Sequence, residues 1–598
     1  MGVGEPIIVP DVLRTIALHA TEVAGSLGLV VDVRRDYGAS GSALQTTGTI
    51  AGGSDVLTIA EVGDFQDGQG IAVAGAGAGG ALLVTTIASG GGSTTLVLST
   101  TAAVGVDGAV VSHDDTAAIQ GGITASAGVS GVLVGVRGDV FVVSSALNIP
   151  SQSHIILDGM IRQNVLSEGH LLNLGSSTDV VITGSGTLDG GGASRSGLAG
   201  GQGAIIAGNV LTYQGPGAQN VLIQDIRIQN VVNWPWNIVA SNNVRLVNVA
   251  ATNCGNSANF SAGCTDCYAV NCRLDSILND MGFTMYGNVQ RSGFIHCVAT
   301  SVFDTAFSVF SDQYSPGACS DILVLGCAAL QSGSDAFGAR SAVGGTLATP
   351  DIHYALTYAS CVATKCGTRI MTGPGDYDFS TSPCREVVIA DCKSHDSSNI
   401  RGVILYGGPM TLSNFMVRNV SFGSGNPGGR GISFQADGTV GNGGPFLISN
   451  GVVVDTQSTP TLVAGFEADA PPGAIFGPVK IVGGSVSGLA SSGQVLSVAS
   501  GQGWREKITV RDVAGWNPRG WAVTQPAVPG GTGSTNAVTN TTMSPVRVIQ
   551  TGGAGLHIVD PSGTDTALSA TPVEFWMDPG TKAYFATTAP TAWEWYGV

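Results

Sequence analysis

Residues 243–249 read NVRLVNV, and residues 220–226, twenty-three positions earlier, read NVLIQDI. In both segments apolar and polar residues alternate, and a polar residue then precedes one apolar residue, Ile226 or Val249. Alternation with a period of two residues is the pattern of a half-buried β-strand. Its recurrence at a fixed spacing is typical of a solenoid, in which each repeat is a structural unit that stacks on the next one.

Similar segments continue the repeat along the chain, and we call the last residue of each segment its column residue. The successive spacings between column residues are 23, 23, 25, 30, 34, 31 and 28. A period in the low twenties with three short strands per coil, separated by Gly or Asn bends, predicts an all-β chain folded as a right-handed parallel β-helix. The column residues are Ile226, Val249, Cys272, Cys297, Cys327, Cys361, Cys392 and Val420.

The composition agrees with strands and turns and excludes several functions. Only 11% of the 598 residues are charged and 89 are glycine, so long helices are not expected. The formal net charge is −17 and the chain has no block of Lys and Arg, so we expect no nucleic-acid partner. No run of twenty apolar residues occurs, which excludes a transmembrane helix, and the first residues lack the pattern of a secretory signal. We therefore expect a protein that folds in a cytoplasm.

The eleven cysteines cluster between Cys254 and Cys392, and five of them are column residues. A small apolar side chain at that position fills the interior and stacks on its counterpart in the next coil. Cys264 and Cys267 form a C-x-x-C pair, but no second pair follows at the spacing of a zinc site. Parallel side chains in neighbouring coils fit the disulfide torsion poorly. We predict reduced cysteines in the core, and neither a metal nor a cofactor.

Changes in pattern divide the chain into domains. A Pro/Asp start and a Gly stop frame an amphipathic helix in the first thirty residues, whose apolar stripe must pack against other copies, a larger assembly or the cap of the β-helix. Residues 43–111 alternate like antiparallel strands joined by Gly-rich turns, which indicates an inserted β-domain. The last segment, with its turns DPSG and DPGT, predicts a β-sandwich whose aromatic end is an assembly surface or core. The predicted bounds are 1–30 for the helix, 31–42 and 112–125 for the entry and cap, 43–111 for the insertion, 126–525 for the β-helix, 526–543 for a linker and 544–598 for the sandwich.

Two short motifs frame the insertion. The sequence DYGASG at 36–41, followed by DDTAAIQ at 114–120, resembles the entry signature of the pectate-lyase-like β-helix superfamily, in which the two parts normally sit a few residues apart. We expect Asp114 and Asp115 to cap a short helix whose Ala118, Ile119 and Ile123 plug the open end of the solenoid.

Two further stretches and the order of domains extend this resemblance. The sequences GSGTLDGGG at 184–192 and NWPWNIVASNNVRLVNV at 233–249 are similar to coils of polygalacturonases, the family twenty-eight glycoside hydrolases. The N-terminal helix, the early insertion and the C-terminal sandwich are similar in order to bacteriophage tailspikes. That resemblance implies a homotrimer of the virion that carries a depolymerase for a bacterial surface polysaccharide and attaches to phage tail or baseplate proteins.

The stretches that follow the column residues contain candidate catalytic groups. Aligning the coils places Asp280, Asp304 and Asp335 at one position in three successive coils. Stacking at about 4.8 Å brings neighbouring carboxylates near the separation found in retaining glycosidases, and alternate ones, at about 9.6 Å, near the upper edge of the range found in inverting glycosidases. Like charges at that distance raise one pKa, so that one carboxyl serves as general acid while another stays ionised as base or nucleophile.

Other side chains near this file are candidates for substrate binding. Aromatic rings stack on sugars, and arginines hold carboxylate or sulfate groups. The rings of Phe303 and Phe310 can stack on a sugar as well. By alternation Phe283 and Phe307 should instead point into the core. The candidate substrate-binding residues are Trp234, Trp236, Tyr286, Tyr314, Arg340, Arg369 and Arg401.

The match to polygalacturonases is partial at the residues that matter. Asp280 lies in NDMG where that family has Asn-Thr-Asp-Gly, Asp304 lies in FDT where it has paired aspartates, and Asp335 lies in SDA where it has Gly-His-Gly. The family's histidine and its Arg-Ile-Lys element have no clear counterpart. Each aspartate can also be read as a turn cap that accepts backbone N–H bonds. Two functions besides hydrolysis stay open: a lyase that acts by β-elimination on uronates, and a receptor-binding spike without catalysis.

Overall fold

The computed structural model describes most of the chain. The described residues are 30–164, 169–192, 203–208, 215–341, 351–367, 377–422, 428–435, 444–469, 477–498, 508–514, 516, 529–541 and 545–597. The predicted N-terminal helix and Arg369 lie outside these ranges. The chain divides into two compact units, residues 1–323 and 324–598. None of the helices in the described ranges is long and apolar enough to cross a membrane.

The first unit contains the β-helix that the repeat predicts, built from three parallel sheets to which every coil contributes one strand. Equivalent residues of successive coils are paired in register: Leu246 pairs with Ala269, and Ala269 pairs with Phe294. The first sheet contains Gly131–Val134, His154–Leu157, Thr178–Thr183, Gln219–Gln224, Asn242–Val247, Tyr268–Val270 and Gln290–Ile295. The second contains Val140–Val143, Met160–Gln163, Thr187–Asp189, Arg227–Gln229, Ala250–Cys254, Arg273–Ile277 and Val298–Val302. The third contains Leu147–Asn148, Leu172–Gly175, Ile205–Ala207, Trp236–Val239, Ala258–Ser261, Phe283–Tyr286 and Phe307–Ser311.

The polar residue that precedes each column residue explains the sharp bend between the first and second sheets. Asp225, Asn248 and Asn271 have φ values of 63°, 55° and 53°, in the left-handed region where Asn and Asp are tolerated best among side-chain-bearing residues. Their side chains also bond between coils: Asn248 donates to Asp225 over 2.7 Å, and Asn271 donates to Asn248 over 2.6 Å. The repeated Asn and Asp therefore both turn the chain and link successive coils.

The column residues lie in the interior, as the sequence predicts. Cys272 and Cys297 are buried, and so are all the other cysteines, each of which is a free thiol. Burial raises the pKa of Cys254 to about 12, so this thiol is protonated and unreactive at neutral pH. Aromatic rings stack beside them, with the centroids of Phe283 and Phe307 5.1 Å apart.

The second unit contains a further series of parallel strands. Long strands here combine positions that are separate strands in the first unit; Tyr377–Ala390, for example, pairs through Phe379 with Phe337 and through Ile389 with Tyr358. The strands are Ala328–Leu330, Phe337–Ser341, His353–Ala359, Val362–Thr364, Tyr377–Ala390, Lys393–His395, Arg401–Gly407, Met410–Ser413, Met416–Arg418, Gly429–Gln435, Phe446–Val454, Leu462–Asp469, Val479–Ser487, Leu489–Val498 and Ile508–Arg511. The strand Ser320–Leu325 contains the boundary between the two units.

The insertion near the N-terminus is a closed antiparallel barrel with its own apolar core, which includes Phe65, Ile71 and Val111. Its first and last strands pair with each other, so that Gln45 lies opposite Ser112. The strands are Gln45–Ile50, Val56–Ile59, Gly70–Val73, Leu83–Ser89, Thr95–Leu98 and Val106–His113, with a 3₁₀ turn at Ala78–Gly80.

The two halves of the entry motif meet in space. The strand Val31–Asp32 and the helix Val33–Tyr37 precede the barrel, and the helix Thr116–Ser126 follows it. Asp115 accepts hydrogen bonds from the backbone N–H of Ser40 over 2.6 Å, from the Ser40 hydroxyl over 3.0 Å and from the N–H of Val142 over 3.3 Å. The capping prediction is therefore wrong for the Asp115 side chain, because its acceptor sites are used to join DYGASG to the first coil.

The remaining prediction for this helix holds in part. Asp114 precedes the N-cap residue Asp115 and accepts from the N–H of Thr116 over 3.1 Å. Ile119 and Ile123 are buried as predicted, whereas Ala118 is only half-buried. Burial raises the pKa of Asp115 to about 6.

The C-terminal segment forms two antiparallel sheets around one core that contains Val548, Phe585, Trp593 and Trp595. The first sheet has the strands Val538–Thr539, Lys582–Thr588, Ala554–Val559 and Asp565–Ala567, and the second has Glu574–Met577, Val546–Thr551 and Ala592–Gly597. The sandwich starts earlier than predicted, because Val538–Thr539 pairs with the strand Lys582–Thr588 and is preceded by a 3₁₀ turn at Ser534–Asn536.

Candidate functional site

A cavity of about 200 Å³ opens beside the third sheet of the first unit, and we call it the Asp280 cavity. The sequence placed four of its ten lining residues among the candidates: Asp280, Trp234, Tyr286 and Phe310. It missed the other six. The cavity is lined by Trp234, Asn256, Ser257, Asn259, Asp280, Met281, Thr284, Tyr286, Phe310 and Asp312.

Asp280 reaches the cavity because the chain bends between the strands Arg273–Ile277 and Phe283–Tyr286. One carboxylate oxygen accepts a hydrogen bond from the Ser257 hydroxyl over 3.0 Å. Burial raises the pKa of Asp280, and the neighbouring charge of Asp304 raises it further. A carboxyl group whose pKa is raised at the wall of a cavity suits a general acid, because it still carries its proton at a pH where ordinary carboxyls are ionised.

Asp304 occupies the corresponding bend of the next coil. Its backbone N–H lies 3.4 Å from the carbonyl oxygen of Asp280, so the two bends stack directly on each other. The strands on either side are in register as well, with Phe283 opposite Phe307. The backbone bends that carry Asp280 and Asp304 therefore stack in the first unit, although Asp304 is not among the described residues that line the cavity.

A second carboxylate lines the cavity at Asp312. One of its oxygens accepts from the Tyr286 hydroxyl over 2.5 Å and from the N–H groups of Tyr314 and Ser315 over 2.8 and 3.1 Å. These bonds fix the Tyr286 ring, which stacks on Phe310 with centroids 5.9 Å apart. The sequence signal was the aspartate itself, because an Asp side chain often accepts from the backbone N–H groups two and three residues later, as in an Asx-turn.

Trp234 and Trp236 have different surroundings although only Pro235 lies between them. Trp234 is partly exposed and lines the cavity. Trp236 is fully buried and packs on Phe283 at 6.0 Å. The prediction that Trp236 stacks on a sugar is wrong, because its side chain points into the core like that of Phe283. Tyr314 is 68% exposed but is not among the lining residues.

The second unit places Asp335 in a setting unlike that of Asp280. Asp335 is fully buried and forms an ion pair with Arg340. It also accepts from the N–H of Tyr377 over 2.9 Å and from the Ser380 hydroxyl over 2.6 Å. The prediction of a catalytic role for Asp335 is wrong, because a carboxylate without exposed surface and with these partners stabilises the coil and does not meet a substrate.

Arg401 is also held in the protein. Its guanidinium donates to Glu467 over 3.1 Å, and Arg430 pairs with the same carboxylate. Only 10% of the Arg401 side chain is exposed. Arg340 is 39% exposed beside Asp335. The prediction that these arginines hold an acidic group of a substrate thus loses its main support for Arg401, because its guanidinium is largely buried and already paired with Glu467.

A larger cavity, of about 650 Å³, lies near the entry helix and the barrel. Its charged groups are engaged with one another: Arg34 pairs with Asp139 over 2.7 Å, and Asp32 accepts from the N–H of Arg34 over 2.9 Å. It holds no aromatic ring among its lining residues in the described ranges. Size alone therefore does not make it the better candidate.

Comparisons with known proteins concern the fold. No protein-family model matches the chain, and no curated protein matches it in sequence. Similar solved structures include a mutant tailspike protein of E. coli bacteriophage HK620 in complex with a hexasaccharide, at 11% identity and a TM-score of 0.47, covering 81% of this chain and 88% of that one. Another HK620 tailspike mutant, in complex with a pentasaccharide, has 11% identity, a TM-score of 0.45 and the same coverage.

A structure from a different phage is also similar. It is the N-terminal fragment of bacteriophage Phi29 gene product 12, at 16% identity and a TM-score of 0.41, covering 67% of this chain and 70% of that one. The bound saccharides are observations on the HK620 proteins alone. The β-helix class predicted from the repeat is found in the chain's own strands.

Proposed function

We propose that this chain is a tailspike-like depolymerase that binds a bacterial surface polysaccharide in the Asp280 cavity and hydrolyses a glycosidic bond. One observation carries the proposal: a carboxyl group with a raised pKa lies at the wall of a cavity that also presents the aromatic side chains Trp234 and Tyr286. Aromatic faces bind the apolar faces of sugar rings, and a protonated carboxyl is the acid that a glycosidic oxygen needs.

In the proposed reaction Asp280 donates its proton to the glycosidic oxygen as the bond from that oxygen to the anomeric carbon breaks. Asp304 acts from the next coil, as nucleophile or as the base that takes a proton from the attacking water. We assign this role to Asp304 and not to Asp312 because Asp304 acts electrostatically on Asp280, whereas one oxygen of Asp312 is occupied by three donors. Coils about 4.8 Å apart suit the short carboxyl separation of retaining enzymes.

The biological setting of the proposal comes from the sequence resemblance. The entry motif and the order of domains suggest a homotrimeric spike of a phage virion, attached to tail or baseplate proteins and folded in the host cytoplasm. In such a spike the C-terminal sandwich would serve trimerisation or carbohydrate binding.

A depolymerisation assay tests the function. The full chain is incubated with capsule and lipopolysaccharide from candidate hosts, and reducing ends, glycan size and absorbance at ultraviolet wavelengths are followed. Hydrolysis yields shorter glycans with new reducing ends and no new absorbance. Shortening with absorbing unsaturated ends would identify a lyase, and binding without shortening would identify a non-catalytic spike. Either outcome rejects the hydrolase.

Asp304→Asn is the informative variant for the mechanism, with Asp321→Asn as its matched control because Asp321 is an exposed aspartate of the same unit. We expect Asp304→Asn to abolish cleavage and leave the melting temperature unchanged. Full activity of Asp304→Asn would remove the pair Asp280 and Asp304 from the mechanism.

A further inference from the structure

The third sheet carries polar side chains at a position where the neighbouring residues are core. Asn237, Asn259, Thr284 and Ser308 are in register in four successive coils. All four are at least 96% buried. Burial of polar groups inside a β-helix costs free energy unless each finds a hydrogen-bond partner.

Two members of this row line the Asp280 cavity and have unused polar atoms. Within the described ranges, Oδ1 of Asn259 and Oγ1 of Thr284 are buried and have no hydrogen-bond partner. Each such atom costs about 1 to 3 kcal/mol when it is left unpaired. Asn237, which does not line the cavity, uses its Oδ1 to accept from the Ser261 hydroxyl over 3.1 Å, and its own buried unpaired atom is the donor Nδ2.

The chemistry of the lining restricts what can satisfy these atoms. An amide oxygen only accepts hydrogen bonds, so Asn259 Oδ1 needs an O–H or N–H donor. The cavity also presents the carboxyl groups of Asp280 and Asp312, and its lining residues in the described ranges include no Lys, Arg or His. An ionised carboxylate on the ligand has no donor to offer and would meet the carboxylate of Asp312.

We infer that the sugar residue bound in the Asp280 cavity is uncharged and is recognised by Asn259 and Thr284 through its hydroxyl or acetamido groups. This inference rests on the proposed polysaccharide-binding function and narrows it. An O–H or N–H group of the sugar donates a hydrogen bond to Asn259 Oδ1. The Thr284 hydroxyl makes a second hydrogen bond to the sugar, as donor or acceptor. A uronic acid is excluded from this position, although other positions of the same polysaccharide are not restricted.

Variants of Thr284 separate this role from a structural one. Thr284→Val keeps the shape of the side chain and removes a hydroxyl that has no partner in the free protein. We therefore expect the melting temperature to stay equal or rise while glycan affinity falls about tenfold, the effect of one lost hydrogen bond of the stronger kind. Thr284→Ser should retain most of the affinity. Thr252→Val, an exposed threonine of the second sheet, is the matched control and should change neither quantity.

The experiment is a binding assay of the full chain on an array of bacterial capsule and O-antigen glycans of known composition, followed by titration of a bound glycan. The inference predicts that Asn259→Ala and Thr284→Val each weaken binding about tenfold, and that this factor stays the same after the glycan's carboxyl groups are chemically reduced to alcohols. It is overturned if both variants bind like the unchanged chain, or if the variants lose affinity only for the glycan that still carries its carboxyl groups. If no glycan binds at all, the proposed function fails and this inference fails with it. Glycan binding that does not depend on Asn259 and Thr284 rejects this inference alone, so the two failures are distinguishable.

Discussion

Asp280 in the first unit and Asp335 in the second follow column residues at equivalent positions, yet their surroundings differ. Asp335 has an arginine partner, two further donors and no exposed surface. Asp280 has one serine donor, no cation among its cavity neighbours and access to the cavity. The ion pair with Arg340 makes Asp335 unavailable for catalysis, whereas Asp280, which has no such partner, is available for it. An acidic residue in a repeat is therefore best judged by its partners and not by its alignment.

The matched variants Asp280→Asn and Asp335→Asn should show the largest difference in effect. Loss of a general acid lowers kcat by about 10² to 10⁴, so Asp280→Asn should be nearly inactive and normally stable. Asp335→Asn should leave kcat in place and lower the free energy of unfolding by about 2 to 3 kcal/mol, because the partly exposed Arg340 loses its buried partner. Reducing-end kinetics and urea unfolding measure the two effects. The opposite result, an unstable Asp280 variant and an inactive Asp335 variant, would reverse the comparison.

The two tryptophans repeat the contrast within one coil. Trp236→Ala removes a fully buried ring and should lower the free energy of unfolding by about 3 to 5 kcal/mol. Trp234→Ala should leave stability nearly unchanged and weaken glycan binding by about tenfold, since a ring contact is worth up to about 1.5 kcal/mol. Thermal unfolding and a glycan titration on the same two preparations check this. Equal loss of stability in both variants would mean that Trp234 belongs to the core.

Asp378 of the second unit sharpens the comparison, because it is a fully buried carboxyl without an arginine. Its neighbours are the hydroxyls of Ser394 and Ser397 and the amide of Asn399. Burial raises its pKa to about 6, so the folded state holds the proton more tightly than the unfolded state.

Stability from Asp378 is therefore present at low pH and is lost as the pH rises from about 4 to 6, by about 3 kcal/mol. Denaturant unfolding at pH 4 and pH 7 measures this loss, which should become smaller in Asp378→Asn. Asp391→Asn, at an exposed aspartate, should keep the pH dependence of the unchanged chain. A variant Asp378→Asn with that same dependence would show that the proton is not held there.

The repeat made most of the fold predictable because it acts on the backbone. A left-handed φ at Asp225, Asn248 and Asn271 requires particular residue types, and these types are visible in the sequence at their spacing. The reduced, buried cysteines and the separate barrel followed from the same kind of reading. The interior position of Phe283 was also predictable, since alternation along a strand decides it.

The site was less predictable because partners come from different coils. The sequence around Asp335 does not indicate that Tyr377 and Ser380 donate hydrogen bonds to it, because these residues are more than forty positions away. Trp236 lies inside because the strand Trp236–Val239 begins there, a boundary that the aromatic pattern does not fix. Asn259 and Thr284 were missed since a polar residue inside an apolar strand does not, by itself, reveal which cavity it meets. The signal was their common position in register.

The two ends of the barrel insertion lie close together, which affects how easily this domain can be replaced by another. Gln45 and Ser112 lie opposite each other on paired strands, so the insertion leaves and re-enters its host through neighbouring points. A domain with adjoining ends can be exchanged for a short loop or for another small fold at little cost in loop-closure entropy. The bonds of Asp115 to Ser40 and Val142 hold the host together on either side of the junction. This junction is thus a natural graft position, where a chain of this kind can acquire or surrender a module, or accept a reporter domain, while its coils stay in register.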